Sequence, residues 1–159
     1  MTYTFARISA TLALTVGDFQ TRGRHAWLRL REKGGQTIAL SCHHQLEDYL
    51  DANIAAAGLD RDKNGLFRSL EGRSPASGVS EWPLIESNVW TMVSQRARVA
   101  GIERPINCNT FRATGINADL KNGGQLEIAQ RMAGHASPTT TQLYDRRSDD
   151  VGLTRSNGF

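Results

Sequence analysis

The chain has 159 residues, of which 39% are hydrophobic and 22% are charged. This composition is typical of one compact domain and excludes fibrous and wholly disordered chains. No stretch approaches the ~20 consecutive apolar residues of a membrane span, and the start of the chain lacks the layout of a secretory signal, so we expect a cytoplasmic protein without membrane contact.

The cysteines and histidines give no sign of a disulfide framework or a zinc site. Cys42 and Cys108 stand far apart in the sequence, without paired spacing. The adjacent His43 and His44 lack the spacing of metal ligands. We therefore expect two reduced thiols and no metal or other cofactor.

Positive charge is concentrated in two blocks that flank an acidic middle. Residues 1–35 carry six Lys and Arg against two acidic residues, residues 36–95 carry four against eight, and residues 96–147 carry eight against four. An arginine side chain can contact two phosphate oxygens at once, which makes nucleic acid a candidate partner. Solvated surface arginines are an equally open explanation of the charge pattern.

The first third of the chain predicts a short helix followed by a small antiparallel sheet. Apolar residues at helical spacing indicate a helix over residues 4–14. Over residues 16–41 the hydrophobic period becomes two, most clearly at Ala26, Leu28 and Leu30. The segment Glu32-Lys33-Gly34-Gly35 is expected to be the hairpin turn, because glycine adopts positive φ and permits close approach of a ligand.

The other periodic segments predict helices. One covers residues 43–57 and places on one face Leu46, Tyr49, Leu50 and Ile54. A second begins near Glu86, ends at Gly101 and buries a stripe that includes Val89, Trp90 and Val93. Residues 60–82 have no periodicity, and the Gly- and Ser-rich run from 72 to 80 predicts a flexible loop.

Three more helices are expected in the C-terminal third. The first begins near Asn109 or Thr110 and stops at residues 122–124, and the second covers residues 126–133. The third opens at Ser137-Pro138 and contains Leu143 and Tyr144. The whole pattern predicts a mostly helical α+β domain with one small antiparallel sheet near the N-terminus.

Five motifs in order resemble those of the tyrosine recombinases, the phage integrase family. They are Phe5-Ala6-Arg7-Ile8-Ser9, the Lys33 hairpin, Asn109-Thr110-Phe111-Arg112, Gly134-His135 and Tyr144. Tyr144 follows His135 by nine residues, the usual interval in that family. The resemblance covers about residues 5–147 and implies the fold of a recombinase catalytic domain.

The resemblance also implies a role for each motif in DNA cleavage without a metal. Tyr144 would attack the scissile phosphate and form a 3′-phosphotyrosine link. Arg7 and Arg112 would hold the phosphate, and His135 would donate a further hydrogen bond to it. Lys33 would protonate the departing 5′ oxygen, a task for which arginine is unsuited.

Each of these residues also has a purely structural explanation. Tyr144 at a helix start is compatible with packing, Lys33 and Arg7 with solvated charge, and His135 with a satisfied core position. The positive end of the helix dipole disfavours a cation such as Arg112 near a helix start, unless a phosphate binds at the same helix end.

Two positions depart from the family pattern. Asn109 stands where a histidine is usual, and asparagine cannot exchange a proton near neutral pH. If the usual histidine helps to remove the tyrosine proton, cleavage would be slowed by about 10²- to 10⁴-fold. Ala10 replaces the acidic residue that often follows the first arginine by three, which predicts the loss of an orienting partner.

Only six residues precede Arg7, whereas family members usually carry a DNA-clamping domain there. We therefore expect residues 1–147 to be an N-terminally truncated catalytic domain and residues 148–159 to be a polar tail. Loss of one half of the clamp would reduce phosphate contacts and salt sensitivity.

The leading hypothesis is a site-specific recombinase that acts on double-stranded DNA, as a family-like homotetramer or with another stoichiometry. A second hypothesis is a non-catalytic module, because residues 126–144 also resemble a DNA-binding helix-turn-helix. A type IB topoisomerase relative and a degenerate remnant of a mobile element are further alternatives. A covalent adduct with DNA that depends on Tyr144 distinguishes the recombinase from the non-catalytic module, and relaxation of supercoiled plasmid without a specific site would indicate the topoisomerase.

Overall fold

The computed structural model describes residues 1–32, 34–59, 65–72, 78–135 and 137–145. Within these residues the chain is α+β, with a sheet of three strands, a ribbon of two strands and six helices. The strands are β1 (Phe19–Arg22), β2 (His25–Arg31), β3 (Thr37–Ser41), β4 (Arg68–Leu70) and β5 (Val79–Pro83). The helices are α1 (Ile8–Leu12), α2 (His44–Ala56), α3 (Glu86–Val99), α4 (Cys108–Lys121), α5 (Leu126–Met132) and α6 (Pro138–Gln142).

The predicted N-terminal sheet is confirmed. Strands β1, β2 and β3 pair antiparallel in chain order. Alternation along β2 buries its inward side chains in a core cluster of Ala6, Leu14, Leu28, Leu30, Leu50 and Leu66. Each fully buried leucine contributes about 1.5–3 kcal/mol relative to exposure. At the β2–β3 turn Gly34 and Gly35 have φ of 86° and 79°, as the turn prediction requires.

Part of the N-terminal positive charge is neutralised within the sheet. Buried Asp18 accepts hydrogen bonds of 2.9 Å from Arg29 and from both terminal nitrogens of Arg31. Burial alone would raise the pKa of Asp18, but bonds from Thr15 and the two arginines together lower it. Two of the six cations in residues 1–35 are therefore paired with a buried carboxylate.

Local predictions were wrong at two places. The first helix, predicted over residues 4–14, is limited to α1 (Ile8–Leu12). Phe5 takes a left-handed φ of 53°, and Arg7 is the N-cap. The segment predicted as a flexible loop contains β4 and β5, which pair antiparallel. Residues 60–64 and 73–77 of that segment lie outside the described residues.

Helices α2 and α3 are confirmed, but one aromatic in each was assigned to the wrong face. Leu50 of α2 and Val89 and Val93 of α3 are buried as predicted. Tyr49 and Trp90 are 67% and 58% exposed. No helix within the described ranges is both long and apolar enough to cross a membrane.

The C-terminal helices α4 and α5 pack on the segment before α1. Phe5 is buried against residues of α4 and α5 in a cluster with Ile116, Leu120, Ala129 and Ala133. Gly115 permits this contact, because a Cβ there would lie 3.0 Å from the Phe5 ring and would overlap the backbone oxygen of Thr2. The start of the chain is thus fixed against α4.

The helix termini near the site follow the capping chemistry that the sequence indicates. Helix α4 begins at Cys108, because Asn107 is the cap and accepts from the Thr110 amide at 3.1 Å, so the predicted start at Asn109 or Thr110 was one to two residues late. Ser137 caps α6 with Pro138 in its first turn, as predicted. Leu143 and Tyr144 follow α6 directly instead of lying inside it.

Candidate active site

One pocket joins residues from both ends of the chain. Its volume is about 430 Å³. Five segments of the chain line it: the start of α1, the start of α3, the start of α4, the turn after α5, and α6 with the residues behind it. Five of the six predicted site residues line this pocket: Arg7, Asn109, Arg112, His135 and Tyr144. The sixth, Lys33, lies outside the described residues.

Arg112 is the most buried of the five, with 3% of its surface exposed. Its two terminal nitrogens donate short hydrogen bonds to the backbone oxygens of Phe5 and Ala133. One side chain on α4 therefore fixes both the segment before α1 and the end of α5. Burial lowers the pKa of Arg112, and the charge of Arg7 lowers it further.

Arg7 is held by a carboxylate. Its side chain is 36% exposed, and Nη1 lies 2.5 Å from Oε2 of Glu32. The Glu32 side chain is only 2% exposed, and its other oxygen, Oε1, has no hydrogen-bond partner among the described residues. Because a buried charge is costly without a partner, this ion pair fixes the start of α1 relative to the hairpin.

His135 is placed by the end of α5. Gly134 ends the helix with φ of 57°, and the His135 amide donates to the Gln130 oxygen at 3.1 Å. The Gln130 side chain donates back to the His135 oxygen at 3.1 Å. The ring nitrogen Nδ1 lies 2.8 Å from the hydroxyl of Thr141.

The surroundings of His135 favour the neutral imidazole. Burial, then the charges of Arg112 and Arg7, lower the pKa of His135 to about 4, although Glu32 opposes the shift. At neutral pH the ring therefore carries one proton and has one nitrogen free to accept.

Tyr144 is half-buried at the pocket edge. Its ring stacks on His135 with centroids 5.9 Å apart and planes inclined by 13°. The same ring packs against the cluster that contains Phe5, Ile116 and Leu120. The nine-residue interval thus brings the two side chains into direct contact across the turn between α5 and α6.

Asn109 lies in the first turn of α4 and is exposed to the pocket. The departure from the family pattern therefore falls inside the pocket and not beside it. An amide at this position can donate or accept hydrogen bonds but cannot take up a proton.

Sequence reasoning missed two residues that contact the predicted set, Glu32 and Thr141. Glu32 supplies a carboxylate to Arg7 from the hairpin, whereas Ala10, at the position of the usual acidic residue, is buried in the core. The position of Glu32 directly before Lys33 was the available signal. Thr141 gave no signal, because its neighbours in the Ser/Thr-rich stretch look alike.

Residues 1–150 match the phage integrase family. The chain belongs to that family. Among curated members, tyrosine recombinase XerD of Mycobacterium tuberculosis is 28% identical over 141 residues, which cover 89% of this chain and 43% of that protein. The chain thus spans less than half of that relative's length.

Solved recombinase structures share the fold. XerH site-specific recombinase bound to palindromic difH, a post-cleavage complex, aligns with a TM-score of 0.75 at 20% identity. The alignment covers 99% of this integrase-family chain and 44% of XerH. XerA recombinase aligns with a TM-score of 0.74 at 21% identity, over 99% of this chain and 56% of XerA. The predicted recombinase catalytic fold is therefore confirmed.

Proposed function

We propose that residues 1–147 form the catalytic unit of a site-specific recombinase that cleaves and rejoins double-stranded DNA through a 3′-phosphotyrosine. One observation carries the proposal: five motif residues, spread from position 7 to position 144, line a single pocket. Family membership supports the same conclusion. The XerH structure contains its palindromic difH substrate, which supports double-stranded DNA as the substrate here.

Tyr144 is the nucleophile in this proposal. Its oxygen forms a bond to phosphorus while the bond from phosphorus to the 5′ oxygen breaks. The tyrosine proton passes to water, and the leaving oxygen takes a proton from Lys33. The reverse step, with a 5′ hydroxyl of another strand, restores Tyr144 and rejoins the DNA without a nucleotide cofactor.

The two arginines bind the phosphate through donors that the fold leaves available. A guanidinium has five N–H groups. Arg7 uses Nη1 for Glu32, and Arg112 uses one N–H on each of two carbonyls. The remaining N–H donors are held in place at the pocket, where they stabilise charge on the non-bridging oxygens.

The alternative of a non-catalytic helix-turn-helix is less well supported. Helices α5 and α6 direct His135 and Tyr144 into the pocket with Arg7 and Arg112. A module that only binds DNA has no need for this convergence.

We also propose that several copies of the chain assemble on DNA in the cytoplasm. The exposed apolar side chains of Trp82, Trp90 and Val99 support contacts between copies.

The proposal is tested by covalent capture. The chain is incubated with a pool of randomised duplexes that carry 5′-bridging phosphorothiolates, which trap the adduct because the released thiol rejoins poorly. We expect a denaturant-resistant protein–DNA adduct that Tyr144→Phe abolishes. Tyr49→Phe is the matched control, because Tyr49 is exposed on α2. Binding that survives Tyr144→Phe, with no adduct from the wild type, would establish the non-catalytic alternative.

Asn109→His is the companion variant. It places a titratable ring in the pocket that Tyr144 also lines. We expect adduct formation to accelerate by about 10²-fold, the lower range for one general base. Relaxation of supercoiled plasmid by this variant, without a preferred sequence in the captured pool, would instead indicate topoisomerase activity.

A further inference from the structure

One hydroxyl in the site has no place in the roles given above. Thr141 is fully buried in α6, three residues before Tyr144. Its Oγ1 lies 2.8 Å from Nδ1 of His135, well within hydrogen-bond distance. The same short helix that precedes the tyrosine therefore also contacts the histidine.

The proton in this hydrogen bond has two possible positions. A neutral imidazole carries hydrogen on one nitrogen only, so either Nδ1 donates to Thr141 or the Thr141 hydroxyl donates to Nδ1. In the first arrangement the hydroxyl hydrogen is buried without an acceptor, because among the described residues Oγ1 has no hydrogen-bond partner other than His135. A buried unsatisfied donor is strongly disfavoured.

We propose that Thr141 is a positioning residue that donates to Nδ1 of His135 and so fixes the ring proton on Nε2. His135 then presents a permanent N–H donor to the pocket. The inference rests on the proposed function where it concerns the phosphate: the fixed Nε2–H is the group that bonds a non-bridging oxygen of the scissile phosphate.

This assignment deepens the mechanism at one step. With Nδ1 occupied by the threonine and Nε2 carrying hydrogen, His135 has no lone pair for the Tyr144 proton. The stacked ring is thus a donor and not the general base, despite its contact with the tyrosine. Removal of the tyrosine proton falls to water, which is why a histidine at position 109 is expected to accelerate cleavage.

The test uses the 159-residue chain with ¹⁵N-labelled histidine at pH 7. Long-range proton–nitrogen spectra distinguish Nε2–H from Nδ1–H without DNA. We expect Nε2–H in the wild type and in Thr141→Ser, which keeps the hydroxyl. Thr141→Val is nearly isosteric but cannot donate, so we expect a measurable Nδ1–H population. Adduct formation with the phosphorothiolate pool should fall about tenfold in Thr141→Val and remain within about threefold in Thr141→Ser.

The two readouts separate this inference from the proposed function. Nδ1–H in the wild type would overturn the inference without any variant, whether or not Thr141→Val folds. An unchanged tautomer and an unchanged adduct rate in folded Thr141→Val would overturn it as well. If the wild type forms no adduct while the spectra follow the expected pattern, the proposed function fails and the tautomer assignment stands.

Discussion

The two halves of the site are held by different forces. The C-terminal half, from α4 to Tyr144, is fixed by helix geometry, an apolar cluster and the backbone bonds of Arg112. The N-terminal half consists of Arg7 and the Glu32 hairpin, and the contact between these two side chains is an ion pair. Packing therefore determines the position of the nucleophile and the histidine, whereas electrostatics determines the position of the first arginine.

A substitution should therefore have different consequences for stability and cleavage in each half. In the C-terminal half, loss of a contact leaves backbone oxygens without donors and loosens several helices together. In the N-terminal half, loss of charge changes one guanidinium and leaves the surrounding sheet packed. Stability and cleavage should thus respond separately in the two regions.

Arg112→Ala is expected to have the largest effect on stability. It leaves the oxygens of Phe5 and Ala133 without their donor and creates a cavity between α4 and α5. At about 1–3 kcal/mol for each buried unsatisfied group, the free energy of unfolding should fall by about 3–5 kcal/mol. Denaturant melts measure this loss, with Arg131→Ala on the exposed side of α5 as control. A change below about 1 kcal/mol would contradict the view that Arg112 joins these segments.

The sequence predicted the C-terminal half well, because its information is local. Capping residues, helix-ending glycines and the interval from His135 to Tyr144 depend on neighbours in the chain. The sequence could not predict the burial of Arg112. The two carbonyls that accept from it belong to Phe5 and Ala133, which are 107 and 21 positions away along the chain. A long-range contact between a side chain and backbone leaves no periodic signal.

Glu32→Gln tests the N-terminal half. The amide still accepts from Arg7 but no longer attracts it by charge, so the guanidinium should be less firmly oriented. We expect adduct formation to fall about tenfold, with DNA affinity within about threefold of the wild type. Because the charge of Glu32 raises the pKa of His135, that pKa should fall further below 4 in the variant.

The control for this substitution is Glu127→Gln, which removes an exposed charge from the first turn of α5. It should leave both the adduct rate and the His135 titration unchanged. Equal losses in the two variants would show that general surface charge, and not the pair with Arg7, explains the effect.

The N-terminal half was harder to predict for a physical reason. The periodicity predicts that Arg7 lies inside a helix, beside its apolar stripe, but Phe5 leaves the helical region and places Arg7 at the start of a shorter helix. The carboxylate that binds Arg7 is Glu32, which lies at the β2–β3 hairpin, 25 residues further along the chain. The ion pair depends on how α1 and the sheet pack, which no local pattern specifies.

The smallest expected effect is on stability in acid. It depends on His135, whose pKa is set by burial and by charged groups from both halves of the site. Above about pH 6.5 the His135 ring is neutral in the folded and unfolded chain and adds no pH dependence. Between pH 6.5 and about 4, His135 binds a proton in the unfolded chain but not in the folded chain, so stability falls as pH falls. His135→Gln should remove about 1 kcal/mol of this loss between pH 7 and pH 4.5, after allowance for partial exposure. Denaturant melts across this range test it, with His25→Gln on exposed β2 as control. The lowered pKa of Asp18 affects stability mainly at more acidic pH. A variant slope equal to the wild-type slope would show that burial and the two arginines do not keep His135 neutral in the folded chain.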